Sequence, residues 1–303
     1  MQERTSKYMN PYTDFGFKKL FGEEGNKDLL IDFLNQILPE KHQILELSFR
    51  NPEHIPSLPF LRKAIFDIYC KGANGEDFIV EMQKEKLEYF KDRSLFAVTF
   101  PVQEQARKGT WNFKLQHIYL IAILDFQYDE KEELQKFQRY VQLKDQDGDL
   151  FYEKLHFKFL QMPLFLKTES ELETRFDKWC YFLKNLDTFD HIPTLLKEPI
   201  FEKAFHTAEI GAMSIEEYKI YTESLMSYWE SKGMIDTARD EGRIEGEIKG
   251  RIEGEIKGRI EGEKKGRIEI VKKGIEMGMT DEEIFLLTGV EKPEIQKLRS
   301  NNL

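Results

Sequence analysis

The chain has 303 residues, of which 40% are hydrophobic, including 24 Phe and 12 Tyr, which is ample for a folded core. Its formal net charge of −10 argues against a protein that coats nucleic acid through electrostatics, but leaves room for a local basic groove. Two cysteines exclude a disulfide framework. We find neither a signal peptide at the start nor a run of about 18 apolar residues. These features predict a soluble, cytoplasmic protein without a membrane segment.

The first part of the chain is predicted to be helical. Apolar residues recur at spacings of three and four between Asp14 and Leu38, which predicts a helix or a pair of helices that Pro39 ends. The segment from Ile44 to Phe49 is typical of a short strand. Three prolines between Asn51 and Pro59 then predict a loop.

The segment from Lys63 to Gln83 predicts two short strands joined by a turn that contains Gly72, Asn74 and Gly75. Side chains alternate across a strand, so six residues are predicted to form one apolar face: Phe66, Ile68, Cys70, Phe78, Val80 and Met82. The opposite face carries polar side chains among apolar ones: Asp67, Glu81 and Gln83, beside Ile65, Tyr69 and Ile79.

The pairing register decides whether the two carboxylates meet. A register in which the numbers of opposite residues add to 148 places Asp67 opposite Glu81. It also brings the apolar residues of the two strands onto the same face, and it requires a loop with an odd number of residues centred on Asn74. A tight two-residue turn at Asn74 and Gly75 would instead place the carboxylates on opposite faces. Adjacent carboxylates repel unless a proton or cation separates them, and hard oxygen ligands suit Mg²⁺. The alternative is an exposed hairpin edge with solvated acids.

A helix and a buried strand are predicted to follow the hairpin. Residues Leu87 to Lys108 predict a helix that Pro101 kinks and Gly109 ends. The nearly all-apolar run from His117 to Phe126 is typical of a central strand buried on both faces. The predicted fold class is therefore α/β (α+β), in the order αβββαβ, with a mixed central sheet.

This order, with an acid on the second strand and Glu81-Met82-Gln83 on the third, resembles the PD-(D/E)XK nuclease superfamily. It is most similar to its recombination-promoting nuclease and transposase family in bacteria. Six sequence features carry the resemblance: Asp14 to Phe21, Ile65-Phe66-Asp67, Ile79 to Gln83, Arg93, Lys108-Gly109 and Ile121 to Phe126, with Phe66 where the superfamily name has proline. The resemblance covers residues 10–126 well and the remainder loosely.

The resemblance implies metal-assisted hydrolysis of phosphodiester bonds. It implies that Asp67 and Glu81 bind Mg²⁺, with Mn²⁺ as an alternative, together with the backbone carbonyl of Met82. Asp14 is a candidate additional acid, or the N-cap of the helix that follows it. Gln83 stands where lysine is usual; it can orient a water molecule but supplies no positive charge.

Residues 127–230 are predicted to form an accessory hairpin and helices. The hairpin spans residues 134–166 and turns between Asp145 and Asp149, where the acidic residues suggest either a calcium loop or a solvated turn. Helices are predicted over residues 169–186 and 193–229. The six histidines are scattered without metal-ligand spacing, so the sequence does not predict a zinc site.

A repeat of eight residues, GRIEGEIK and its variants, extends from Gly242 to Lys273. Opposite charges recur at i,i+4, as in Arg243 and Glu247, which predicts a helix, whereas a strand would bring like charges together. Each glycine destabilises a helix by about 1 kcal/mol relative to alanine, whereas each charge pair returns about 0.3 kcal/mol. We therefore expect a partner helix on the Gly and Ile stripe, and hence a homo-oligomer; the alternative is a solvated arm.

The end of the chain predicts two short helices in a helix-turn-helix-like outline. Thr280 is predicted to cap the first helix with Glu283 in a capping box, and Gly289 to separate the two helices. Without a basic recognition face, such a pair is more often a packing module than a DNA reader. The predicted domains are thus a nuclease domain at 1–230 with its core at 10–126, a repeat helix at 231–273 and a tail at 274–303.

Two functions follow from these features. The first is a Mg²⁺-dependent DNA endonuclease with an oligomerisation tail, associated with recombination or transposition, in which Asp67, Glu81, Gln83 and Asp14 are catalytic. The second keeps the fold without catalysis, as a DNA- or protein-binding scaffold linked to mobile elements. The acid pair favours the enzyme, whereas Gln83 and the acidic net charge favour the scaffold.

Overall fold

The computed structural model describes residues 6–51, 53–54, 64–86, 89–106, 112–128 and 136–300, without the side chains of 53, 54 and 64. Lys108, Gly109 and most of the proline-rich segment 51–59 lie outside the described residues. The chain divides into two compact units, Met1–Met234 and Ile235–Leu303. Each unit is described by itself.

The first unit begins with two helices, α1 (Asp14–Phe21) and α2 (Lys27–Asn35). The apolar residues that recur at spacings of three and four are buried, as the periodicity predicts: Phe17, Leu20, Phe21, Leu29, Leu30, Phe33 and Leu34. Thr13, and not Asp14, is the N-cap of α1, because the Thr13 hydroxyl accepts the backbone N–H of Gly16 at 3.0 Å. The alternative role of Asp14 as a capping residue is therefore wrong.

Eight strands are formed by the described residues: β1 (Leu47–Phe49), β2 (Glu53–His54), β3 (Ala64–Ile65), β4 (Ile68–Gly72), β5 (Asp77–Gln83), β6 (Ile118–Leu124), β7 (Gln138–Lys144) and β8 (Leu150–Gln161). Six of them form one sheet in the order β1-β4-β5-β6-β8-β7, while β2 and β3 pair separately. The pairs β5–β6 and β6–β8 are parallel and the others are antiparallel. Helix α3 (Phe90–Gln105) connects β5 to β6.

The mixed α/β class and the mixed sheet are as predicted, but the detailed order differs. The predicted order omits β2 and β3, because strands of two residues are too short to produce a periodic pattern. The hairpin β7–β8 turns between Asp145 and Asp149 as predicted, and β8 extends the central sheet through its parallel pairing with β6.

The register of the first hairpin is the predicted one. Ile68 lies opposite Val80 and Cys70 lies opposite Phe78, so opposite residue numbers add to 148. The loop contains Gly75 at φ 90°, a left-handed conformation that favours glycine. The prediction for Phe66 is wrong: its ring packs against Tyr69, at 5.8 Å between centroids, on the other face of the sheet. The strict alternation fails because β4 begins only at Ile68.

The sheet carries an apolar core on each face. Residues of α1, α2 and two later helices, α4 (Arg175–Asn185) and α5 (Pro199–Ala208), cover the face that includes Ile68 and Val80. Helix α3 covers the other face, which includes Ile79. All seven residues of β6 are buried, as expected for a central strand covered on both sides.

Helix α6 extends from Ile215 to Glu276 and includes the eight-residue repeat. Its first turns belong to the first unit, where Tyr221 and Tyr228 are buried in the core. Along the repeat, a Cβ placed on any of the glycines from Gly242 to Gly266 would meet nothing within 4 Å in this chain. The isoleucines between them are about half exposed.

The second unit closes with α7 (Asp281–Thr288) and α8 (Lys292–Ser300), which pack on the end of α6. Thr280 and Glu283 form the predicted capping box, and Gly289 ends α7 with φ 66°. The buried core of this unit is small: Val271, Ile284, Val290 and Ile295. No described helix in either unit combines the length and apolar character needed to cross a membrane.

Candidate active site

Asp67 lies directly before β4 and faces the neighbouring strand β5. Its Oδ2 accepts the backbone N–H of Met82 at 2.7 Å, a hydrogen bond that spans the two strands. In return, the backbone N–H of Asp67 donates to the carboxylate of Glu81. The two acids are therefore fixed relative to each other by backbone contacts as well as by the register.

Gln83 follows Glu81 on the same face of β5, two residues further along. Its side-chain Nε2 donates to Oε2 of Glu81 at 2.9 Å. Asp67, Glu81 and Gln83 are all half-buried. The three residues thus form one connected group near the carboxyl end of β5.

The protein raises the pKa of both carboxyls. Burial is the main cause for Asp67, and the negative charge of Asp14 adds to it. Burial is also the main cause for Glu81, followed by the charge of Asp67. Hydrogen bonds from Met82 and Gln83 act in the opposite direction, but they do not restore the ordinary pKa of either group. A shared proton or a bound cation would relieve this repulsion.

Asp14 lies at the start of α1 and points towards its own helix. Its carboxylate forms an ion pair with Lys18, at 2.7 Å between Oδ1 and Nζ, and remains largely exposed. Asp14 and Lys18 are both close enough to shift the pKa of Asp67, in opposite directions. The sequence analysis missed Lys18, although its position four residues after Asp14 places both side chains on one face of α1.

Arg93 supplies a second positive charge next to the acids. It lies in the first turn of α3 and holds the pKa of Asp67 and Glu81 lower than burial alone would set it. Arg93, Glu81 and Gln83 line the same cavity, which has a volume of about 310 Å³. Apolar side chains from both walls complete the lining: Ile65, Phe66, Phe90, Phe96, Ala97, Leu120 and Ala122, with Ser94 as a further polar group.

The donor set at this site fits a hard divalent cation. Two carboxylates with raised pKa values, one directly before β4 and one on β5, provide the oxygen ligands that Mg²⁺ and Mn²⁺ prefer. Asp14 does not join them as a third ligand: within the described part of the chain, Asp14, Asp67 and Glu81 do not form a set of donor atoms within 4.8 Å. The site therefore provides two protein carboxylates.

Sequence reasoning also missed a cluster of histidines. His42, His117 and His156 bring potential ligand nitrogens within 4.8 Å of one another. The pKa of each imidazole is lowered, chiefly by burial, and for His156 to about 4. The argument against a histidine metal site is therefore wrong, because it relied on spacing in the sequence, whereas the three residues come from separate elements that meet only in the folded sheet.

An α/β fold that holds an aspartate directly before one strand close to a glutamate on the next is compatible with a metal-dependent nuclease. The family model described as a PD-(D/E)XK nuclease family transposase matches residues 11–238 of the chain. The chain belongs to this family, as its resemblance predicts. The matched span includes Asp14, Asp67, Glu81 and Gln83. Comparisons with curated proteins and with solved structures gave no significant match.

Proposed function

We propose that this protein is a DNA endonuclease that depends on Mg²⁺ or Mn²⁺ and acts in DNA recombination or transposition. One observation carries the proposal: Asp67, held by the Met82 N–H at 2.7 Å, lies close enough to Glu81 to raise the pKa of that carboxyl, and Glu81 and Arg93 line the same cavity. Membership of a family of nuclease-like transposases supports DNA as the substrate.

Each residue of the group has a separate role in this proposal. Asp67 and Glu81 would hold the cation through carboxylate oxygens, and the Met82 N–H would keep Asp67 oriented. A bound Mg²⁺ ion would stabilise the charge that develops on the phosphate and acidify an attacking water molecule. Gln83 would position that water through its side-chain carbonyl, because its Nε2 is already bonded to Glu81.

The two nearby cations would act on the substrate. Arg93 has the planar guanidinium that binds phosphate oxygens through paired hydrogen bonds, and it lines the cavity beside the acids. Lys18, on α1, is close enough to Asp67 to lower the pKa of its carboxyl. A net charge of −10 leaves DNA affinity to such local cations, so binding should weaken steeply with salt.

The chain would act as a homo-oligomer that associates through the repeat in α6. The open surface over the glycines and the half-exposed isoleucines support this proposal, because they leave room for the close approach of a second helix. The cytoplasmic location stays a prediction from the sequence.

The second candidate is a DNA- or protein-binding scaffold without catalysis. Gln83 favours it, because glutamine brings no positive charge to the place where the superfamily has lysine. The hydrogen bond from Gln83 to Glu81 also uses one of its two polar ends. Both candidates share the fold, so only an activity measurement separates them.

A plasmid-nicking assay is the direct test. Purified full-length protein is incubated with supercoiled plasmid and Mg²⁺, Mn²⁺ or EDTA, alongside the variants Asp67→Asn and Glu81→Gln. Asp149→Asn, at an exposed turn far along the sequence, is the matched control. We expect cleavage by the wild type and the control, only with a divalent cation, and none by the two site variants.

Two results would reject the endonuclease. If the wild type binds DNA but does not cut it with either cation, the scaffold is the correct function. If cleavage persists in both site variants, the activity belongs to another site or to a contaminant.

A further inference from the structure

The three clustered histidines come from three different parts of the fold. His42 ends a short 3₁₀ turn, Glu40–His42, that follows α2. His117 directly precedes β6, and His156 lies on β8, where it is paired with Tyr119 of β6. All three are half-buried. The cluster thus joins a surface turn to two adjacent strands.

The cluster is separate from the acid pair. His156 and Tyr119 project on the sheet face that packs against α1 and α2, whereas Glu81 projects on the face covered by α3. His117 lies at the beginning of β6, whereas Glu81 is paired with Ala122 near its end. The two sites are therefore on opposite faces and towards opposite ends of the strands.

The spacing of the nitrogens matches shared coordination. Nδ1 of His117 and Nε2 of His156 are 3.2 Å apart. Two imidazole nitrogens bound at about 2.0–2.1 Å to one tetrahedral Zn²⁺ ion are separated by about 3.3 Å. The ring of His42 lies 4.2 Å from that of His117 between centroids, which brings the third imidazole to the same place.

Tyr119 positions two of the three imidazoles. Its hydroxyl contacts Nδ1 of His42. Its ring stacks on His156 at 4.3 Å between centroids and an interplanar angle of 7°. Partners that fix the orientation of ligating histidines in this way are typical of metal centres.

The charges around the cluster are compatible with a cation. Two of the neighbouring lysines are directed to backbone carbonyls: Lys154 Nζ donates to Leu115 O at 2.8 Å, and Lys158 Nζ donates to Ile37 O at 2.8 Å. Lys41 adds a further positive charge, while Glu76 and Glu153 contribute negative charge near the imidazoles.

We propose that His42, His117 and His156 bind a late first-row divalent cation, with Zn²⁺ as the physiological ion. Imidazole ligands suit Zn²⁺, Cu²⁺ and Ni²⁺ and exclude Mg²⁺, which prefers oxygen. Three histidines leave one position for water or a further ligand. The ion fastens the Glu40–His42 turn to β8 and to the start of β6, and Tyr119 is a positioning residue. This site is independent of the proposed nuclease activity.

The test measures Zn²⁺ binding to the untagged full-length chain by calorimetry, in the presence of excess Mg²⁺. We expect one Zn²⁺ ion per chain and a rise in Tm when it binds. His117→Gln and His156→Gln should each weaken binding at least about a hundredfold, since even the loss of an outer partner weakens a metal site tenfold to a hundredfold. His206→Gln, a change at a largely exposed histidine, should leave binding unchanged.

Two further variants keep the test decisive if a buried substitution prevents folding. His42→Gln lies in a surface turn and should weaken Zn²⁺ binding as the other two do. Tyr119→Phe keeps the ring and removes the hydroxyl, so it should weaken binding by about tenfold to a hundredfold without loss of stoichiometry. Circular dichroism without metal should show the same fold in both.

Cobalt provides a readout that is specific to the ligands. Co²⁺ in place of Zn²⁺ should give the intense visible absorption of a four-coordinate site, and this absorption should be absent in His117→Gln. The double variant with Asp67→Asn and Glu81→Gln should bind Zn²⁺ as tightly as the wild type. Absence of Zn²⁺ binding, or equal binding by folded histidine variants and the wild type, would overturn the proposal.

Discussion

The backbone N–H of Met82 donates to Oδ2 of Asp67 at 2.7 Å, and this single bond connects the pairing of two strands to the orientation of a carboxylate. Because the register aligns the apolar residues of β4 and β5, any shift that moved Asp67 away from Glu81 would also expose part of the core. The stability of the hairpin and the geometry of the candidate site are therefore set together.

The first prediction concerns the pH dependence of stability. Raised carboxyl pKa values mean that the folded protein retains protons which the unfolded chain has released, so the free energy of unfolding should fall as pH rises from about 4 through the raised pKa values. Glu81→Gln removes one of the two charges and should raise Tm at pH 8, without metal, by roughly 2–4 °C. Thermal scans from pH 5 to pH 8 measure this, with Asp149→Asn as the control.

Added Mg²⁺ should raise the Tm of the wild type at pH 8 and have a smaller effect on Glu81→Gln. A wild type whose Tm rises throughout this pH interval, with the variant less stable at every pH, would contradict the repulsion between Asp67 and Glu81.

The second prediction concerns Gln83. Its side chain is bonded to Glu81 at 2.9 Å and faces the cavity. Gln83→Ala should slow cleavage by about tenfold to a thousandfold, comparable to the loss of one positioned hydrogen bond at a transition state. Gln83→Lys should retain or raise the rate, because an ammonium beside the acids favours their ionised forms. Single-turnover nicking rates measure both, and an inactive lysine variant that folds and binds Mg²⁺ would count against this role.

The third prediction concerns Arg93. Its charge lowers the pKa of both acids, so Arg93→Gln should raise those pKa values and move the acid limb of the pH–rate profile towards higher pH. It should also reduce the rate by about a hundredfold and lower the salt dependence of DNA binding by about one phosphate contact. Lys91→Gln, two residues earlier on α3, is the control. A profile that keeps its shape with a lower rate would assign Arg93 to DNA binding alone.

The fourth prediction concerns truncation. A chain that ended at residue 230, the predicted end of the nuclease domain, would lack Lys232, whose Nζ lies 3.8 Å from Oδ2 of Asp125. A chain that ends at Met234 keeps this contact and the buried Tyr228. We expect this chain to fold, with a circular dichroism spectrum that corresponds to the helices and strands of the first unit. Light scattering should show a smaller oligomer than the full chain forms. The truncated chain should produce nicks in preference to double-strand breaks. An unchanged oligomer would place the interface in the first unit.

The fifth prediction separates a packed repeat from a free arm. Leucine at Gly250, Gly254 and Gly258 adds bulk where nothing in this chain lies within 4 Å, so only a second chain can obstruct it. If the repeat packs closely against a partner, the leucine variant should dissociate, whereas alanine at the same positions should retain the oligomer and raise helicity. Light scattering on both variants decides between the two, and an unchanged oligomer in the leucine variant would reject close packing.

The repeat also shows how far charge patterns predict contacts. Within residues 242–273, all of which the structure describes, Arg243–Glu247 and Arg259–Glu263 are the i,i+4 ion pairs within 4 Å, at 3.0 and 3.8 Å. The other predicted i,i+4 pairs in these residues do not come within 4 Å, because exposed charged side chains gain little stability from a fixed geometry. This strengthens the expectation that charge pairs alone do not compensate for the glycines.

Features that depend on local pattern can be predicted from the amino-acid sequence alone. The alternation of side chains along each strand, together with a loop of odd length, is sufficient to predict the register that places Asp67 beside Glu81. The apolar run of β6 predicts a buried central strand. The Thr280 capping box was equally visible, because capping depends on residues three positions apart.

Contacts between residues that are far apart in the sequence depend on the folded arrangement of the elements. His42, His117 and His156 have no common spacing, and they converge because β6 and β8 pair in parallel and the turn after α2 lies against them. Lys18 comes close enough to influence Asp67 because residues of α1 and β4 share one apolar core. Phe66 changes face because the chain bends before β4 begins. Such contacts depend on how elements pack in three dimensions, which local periodicity does not encode.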